Sequence, residues 1–224
     1  MKKILPFVAM GALAISTMNA QAEIFTLSSG DIDFVGSSAG LNLAKGQIES
    51  DTKIRVYSEK LNYTLTTNIT VDDTSTGSYA DRVSGTILAG TVVDSYLVHF
   101  DKIGDSSTFV SRGGNVISEL GVEILGIIFS ANGLNASDSE LGIADSYETS
   151  SDRGLEFTNQ DSYILGNIGG TLRNLVLNDL KVSTNIDEIR VITAAASPVP
   201  VPAAVWLLGS ALLGLTGISR RKKS

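Results

Sequence analysis

The chain has 224 residues, no cysteine, one histidine (His99), one tryptophan (Trp206) and a formal net charge of -7. Without cysteine there is no disulfide framework, thiolate metal site or cysteine nucleophile, and one histidine excludes a multi-histidine metal centre. The acidic balance argues against nucleic-acid binding through phosphates.

The first element in chain order is a leader. Lys2 and Lys3 precede a mostly apolar run from Ile4 to Met18, and Ala20-Gln21-Ala22 is a small-x-small site. This is the pattern of a secretory signal peptide, with cleavage expected after Ala22. Its length is short of the ~20 residues a membrane span needs. No acidic residue lies in 1–22 or 198–224, so 23–197 holds 11 basic and 24 acidic residues, a net of -13.

The segment 23–197 is one domain's length. Its main signal is period-2 alternation: Leu61, Tyr63, Leu65, Thr67, Ile69 and Val71 alternate with polar residues, which predicts a strand over 61–71. Thr52–Tyr57 precedes it, with Ser58-Glu59-Lys60 as the expected hairpin turn. Further predicted strands are 31–35, 82–88, 92–100, 107–112, 123–129, 154–157, 171–177 and 186–193. Turn-forming clusters fall at 72–77, 104–106, 113–115 and 166–170. Ser137 and Glu140 have capping-box spacing, which predicts a helical turn over 137–140. The expected fold class is all-β, an antiparallel β-sandwich or jelly-roll-like domain.

The last elements lie at the C-terminus. Ser197 to Pro202 holds three of the chain's four prolines and reads as a stiff, extended stretch. Ala203 to Ile218 is an uncharged run of 16 residues. At 1.5 Å per residue it would reach about 24 Å, enough for a single transmembrane helix with local thinning or snorkelling. Trp206 takes an interfacial position, and Arg220-Arg221-Lys222-Lys223 is expected to stay cytoplasmic.

The tail VPVPAAVWLLGSALLGLTGISRRKK resembles the PEP-CTERM sorting signal of Gram-negative bacteria, in its V-P-x-P variant. The matching positions include Val199, Pro200, Pro202, Trp206, Gly209, Arg220 and Arg221, while Val201 stands where Pro-Glu-Pro has glutamate. Pieces of the body, among them 89–101, 124–128, 134–138, 153–156 and 187–192, are similar to an uncharacterised group of PEP-CTERM secreted domains. The resemblance implies Sec export, a transient inner-membrane anchor and processing by an exosortase. The body would then reach the cell surface or extracellular matrix, where such proteins accompany exopolysaccharide and biofilm. Three parts are expected: signal peptide 1–22, extracytoplasmic domain 23–197 and sorting signal 198–224.

The residues of the body offer little catalytic chemistry. His99 reads as a structural or surface group, with no nucleophile motif near it. Asp138, Glu140, Asp145, Glu148, Asp152, Glu156 and Asp161 cluster in sequence, and Tyr147 could stack on a sugar ring. Two carboxylates about 5 to 10 Å apart are what a glycosidase requires, and solvated loop charge explains the same residues. Asp138, Tyr147, Arg153, Glu156 and Asp161 are the candidate ligand-binding residues. Calcium is conceivable in Asp-rich loops: Asp31-Ile32-Asp33 begins like a calcium loop but lacks its later ligands, and Asp72, Asp73 and Asp81 bracket another turn. No metal ligand set can be named. The leading expectation is a non-enzymatic surface or matrix protein. A lectin-like carbohydrate-binding module, with or without calcium, is the alternative, and a polysaccharide-cleaving enzyme the third.

Overall fold

The computed structural model describes residues 25–118, 122–143, 146–159 and 161–195. The leader with Ala20 and Ala22, and the tail with its sorting motif and apolar run, lie outside these residues. Among the described residues no helix is long and apolar enough to cross a membrane.

The body is all-β with one α-helix. Its strands are β1 (Phe25–Gly30), β2 (Ile32–Ser37), β3 (Ile54–Thr64), β4 (Ile69–Val71), β5 (Gly77–Ser78), β6 (Gly85–Ile87), β7 (Val92–Phe100), β8 (Val110–Ser118), β9 (Ile124–Ile128), β10 (Ser162–Ile168), β11 (Thr171–Val182) and β12 (Asp187–Ala194). The helix α1 spans Ala131–Leu141. Two five-stranded sheets run β1-β8-β11-β10-β5 and β2-β3-β7-β12-β9, and β4 pairs with β6. All pairings are antiparallel except β2 with β3.

Both faces of the second sheet are covered. Tyr96, Val98 and Phe100 of β7 and Ile189 and Val191 of β12 join Val116, Leu165, Leu175 and Leu177 of the first sheet in one core. The alternate residues Leu97 and Ile192 join Ile69 and Val71 of β4 and Leu134 and Leu141 of α1 in a second core. Period-2 geometry therefore sends every other residue of β7 and β12 toward the helix. This is why β12 is buried from Asp187 to Thr193 although its sequence, DEIRVITA, contains three charges.

Several sequence expectations are corrected. Ser58-Glu59-Lys60 is not a turn but lies inside β3, where the register against β7 slips between Ser58 and Lys60. The slip is a bulge at Glu59, and such an extra residue re-aims its side chain. The alternating run 61–71 does not stay one strand. The amides of Thr66 and Thr67 leave the ladder and donate to the Glu140 carboxylate, separating β3 from β4. Gly113-Gly114-Asn115 is also strand, in β8. A Cβ on Gly113 would sit 2.6 Å from the Leu177 carbonyl oxygen, so glycine here serves close strand approach rather than a turn. No strand covers 154–157, where a 3-10 turn begins at Phe157.

The helix starts earlier than the capping-box spacing suggests. Ser130 is the N-cap and accepts from the Gly133 amide at 3.2 Å. Asp72 reinforces it, accepting from the Phe129 and Ser130 amides at 2.8 Å each. Ser137, inside the helix, donates to the Gly133 carbonyl instead. Three strands, β1, β5 and β10, had no sequence expectation. Of the turn expected over 166–170, only Gly169-Gly170 turns, joining β10 to β11, while 166–168 belong to β10.

Candidate functional site

The five candidate residues divide between two clusters. Asp138, Tyr147 and Arg153 meet on the helix-covered face of the second sheet, together with Glu59, His99, Glu188 and Arg190, which sequence spacing did not single out as a group. Glu156 and Asp161 meet Asp187 at the start of β12.

The first cluster is built from register. On β12, Glu188 lies opposite His99 and Arg190 opposite Leu97, so both point to the helix side. The bulge in β3 turns Glu59 to the same side. Arg190 then forms a forked pair with Glu59, with Nε–Oε2 and Nη2–Oε1 distances of 2.7 Å each. Arg190 also donates to Asp138 at 2.8 Å and to the Ser137 hydroxyl at 2.5 Å. Arg153 donates to Glu188 and to the other Asp138 oxygen, each at 2.6 Å. His99 completes the chain, with Nδ1 3.0 Å from Glu188 and Nε2 3.3 Å from the Ile48 carbonyl oxygen.

Gly154 brings Arg153 into reach. Its φ is +101°, and a Cβ there would lie 2.5 Å from the Phe129 carbonyl oxygen, hard against the entry to α1. Tyr147 donates to Glu59 at 2.6 Å and accepts from the Ile143 amide at 2.9 Å. Its ring lies 5.3 Å from the Arg153 guanidinium and 5.5 Å from that of Arg190.

The electrostatics follow from burial and pairing. The side chains of Arg153, Arg190, Glu59 and Glu188 are fully buried. Burial alone would raise the Glu59 carboxyl. The charge of Arg190 and hydrogen bonds from Arg190, Ser95 and Tyr147 outweigh that and hold it below the ordinary carboxylate range. Burial opposes the charge on Arg190, but Glu59 and Asp138 more than restore it. The Tyr147 hydroxyl is pushed up by burial and by the Glu59 charge. Thus Asp138, Tyr147 and Arg153 spend polar atoms on core partners.

The second cluster has no such balance. One oxygen each of Glu156, Asp161 and Asp187 lie within 4.8 Å of one another. Asp161 accepts from the Glu156 amide at 2.6 Å and from the Lys181 amide at 2.9 Å. Glu156 accepts from the Asn185 side chain at 2.6 Å. Asp187 is fully buried, and neither of its carboxylate oxygens makes a hydrogen bond; the nearby Lys181 amide, which offsets a little of the upward shift, donates to Asp161 instead. Burial first, then the charges of Asp161 and Glu156, push its carboxyl well above the ordinary range. Asp161 is pushed up to about 6, chiefly by burial. The donor set is all oxygen and suits a hard cation.

The other calcium candidates are engaged locally. Asp72 caps α1, and buried Asp73 accepts from Tyr163, Ser75 and Val83. Asp81 accepts from Ser78. Asp31 lies 3.8 Å from Arg112 at the surface.

Sequence reasoning left His99 without a partner and passed over Glu59, Asp187, Glu188 and Arg190. The available signal was β12 itself, where charges interrupt a strand otherwise apolar on both faces. Comparison with family models, curated proteins and solved structures finds no match.

Proposed function

We propose that this chain is an exported, non-enzymatic surface or extracellular-matrix protein whose body is a β-sandwich module. The localisation rests on the two ends of the sequence, a signal-peptide pattern and a PEP-CTERM-like tail around a body of net charge -13. An exosortase would remove the tail near Pro198–Pro202, and the acidic body would stay solvated in an exopolysaccharide-rich setting.

One observation carries the non-enzymatic reading. The charged residues nearest to a catalytic constellation are engaged mostly with one another, with the Nη2 of Arg153 as the one buried guanidinium nitrogen of the pair that lacks a partner. Arg153 and Arg190 are fully buried, and their hydrogen bonds run to Glu59, Glu188, Asp138 and helix or loop oxygens. A catalytic or sugar-binding group must meet a solute. Tyr147, the residue suited to stack on a sugar, has its hydroxyl on Glu59 and its ring beside both guanidiniums.

Mass spectrometry of the native protein tests the processing. The expected mature product begins at Glu23 and ends near Pro198. A mature product that keeps Arg220–Lys223 overturns exosortase processing.

A further inference from the structure

We propose that Glu156, Asp161 and Asp187 form a binding site for one hard divalent cation of the calcium class. The inference concerns the body alone and stands whether or not the tail is processed.

The starting point is Asp187. It opens β12, it is 0% exposed, and both its carboxylate oxygens lack a hydrogen-bond partner. Native folds seldom bury an unpaired carboxylate, because desolvation is costly without compensation. Asp187 is aimed at the oxygens of Glu156 and Asp161. The charges that act on it most, those of Asp161, Glu156 and Asp179, are all negative. Burial and these neighbours favour a bound proton or a bound cation.

The geometry favours the cation. Two oxygens bound to one calcium ion are at most about 4.6–5.2 Å apart, and one oxygen each of Glu156, Asp161 and Asp187 lie within 4.8 Å of one another, close enough to converge on a single ion. Magnesium demands a near-ideal octahedron and gives up its water reluctantly, which a three-carboxylate cluster serves less well. The neighbours are also arranged as supports for ligands. Backbone amides of Glu156 and Lys181 fix the two Asp161 oxygens from outside, and Asn185 holds one Glu156 oxygen. Such hydrogen bonds orient a ligating carboxylate and leave its remaining lone pairs for the metal. With no histidine or sulfur in the set, a soft or borderline metal is disfavoured.

The site would also have a structural consequence. It joins the segment after Arg153, the residue before β10 and the first residue of β12. Ile186 already bonds across this junction, its amide to the Asp152 carbonyl at 2.9 Å. A cation here would tie these segments beside Glu188, the anchor of Arg153 and His99.

The test is calorimetric titration of the purified, EGTA-stripped full chain with calcium chloride, with thermal melts in calcium and in EGTA. One calcium per chain is expected, with a Kd of about 0.1–1 mM as in extracellular modules. The melting temperature should rise in 10 mM calcium, and magnesium should bind at least tenfold more weakly. Asp187→Asn should weaken calcium binding by tenfold or more while melting in EGTA no lower than the parent, since it removes an unpaired buried charge. Should that variant fail to fold, Glu156→Gln, which alters the most accessible of the three side chains, gives the same readout. No heat and no melting shift at 10 mM calcium overturns the proposal. So does calcium binding that both variants leave intact, or a calcium-insensitive melting temperature that falls from pH 5 to 8, which marks a shared proton instead.

Discussion

Asp187 and Glu188 are neighbours on one strand, and both are completely buried. Their side chains leave β12 on opposite faces and enter different electrostatic worlds. Glu188 meets Arg153 and His99 in a cluster where Glu59 and Asp138 face Arg190. Asp187 meets Glu156 and Asp161, whose supports are neutral amides. Two buried carboxylates one residue apart thus differ in whether the chain supplies their counter-charge. The one that has it is a structural element. The other is where something from solution has a reason to bind.

Removing the counter-charge from the balanced side should break this contrast with the largest effect. Arg190→Ala leaves Glu59 buried and unpaired and deprives Asp138 of one partner. The expected loss is about 3–5 kcal/mol of unfolding free energy, read by urea denaturation of the full chain. Restoring neutrality should recover much of it. Glu59→Gln combined with Arg190→Ala should be clearly more stable than Arg190→Ala alone, because the same cavity is left but no orphan charge. If the single and double variants unfold alike, the loss reflects packing and not charge.

The two clusters were not equally legible in the sequence. Strand β7 has the bounds its alternation predicts, Val92 to Phe100, because nothing interrupts its period. Glu59 was missed because Ser-Glu-Lys is polar and reads as a turn, whereas a bulge within a long strand leaves no composition signal of its own. Arg190 and Glu59 are 131 positions apart, and only sheet order and register bring them together. Asp138 and Arg153 were singled out by local acidity and resemblance, but their burial depends on α1 docking over the sheet. Ser137 and Glu140 also mislead: their spacing fits a helix start, yet Ser137 bonds back to the Gly133 carbonyl one turn earlier in α1, and Glu140 is claimed by a tertiary partner, Thr66.

Glu140 offers an intermediate case that sharpens the comparison. It is buried and pairs with no cation among the described residues, but accepts from the Thr66 amide, the Thr66 hydroxyl at 2.7 Å and the Thr67 amide at 3.3 Å. Burial would raise its carboxyl, and these hydrogen bonds outweigh it, so the folded-state pKa lies below the ordinary 4.5. A depressed carboxylate stabilises the fold above its ordinary pKa and ceases to do so as pH falls through the lower folded value. Glu140→Gln should therefore lower the melting temperature by about 2–4 °C at pH 7, and the gap from the parent should close below pH 4. A gap that persists unchanged at pH 3 would assign the loss to shape rather than charge.

The smallest effect is expected where water already supplies the compensation. Lys45 lies 3.3 Å from Asp105, whose side chain is 72% exposed. The pair resembles Arg153 with Asp138 in chemistry, but the Asp105 carboxylate stays in water although the Lys45 side chain is only 23% exposed. The attraction is screened by solvent and salt, and holding two mobile side chains together costs entropy. Lys45→Ala should change unfolding free energy by no more than about 0.5 kcal/mol, and less still in 1 M salt. A loss as large as that of Arg190→Ala would mean that burial is not what separates the working ion pairs of this protein from the idle ones. A negligible change, set beside the collapse expected at Arg190, ties the energetic weight of a charge to how far the fold has removed it from water.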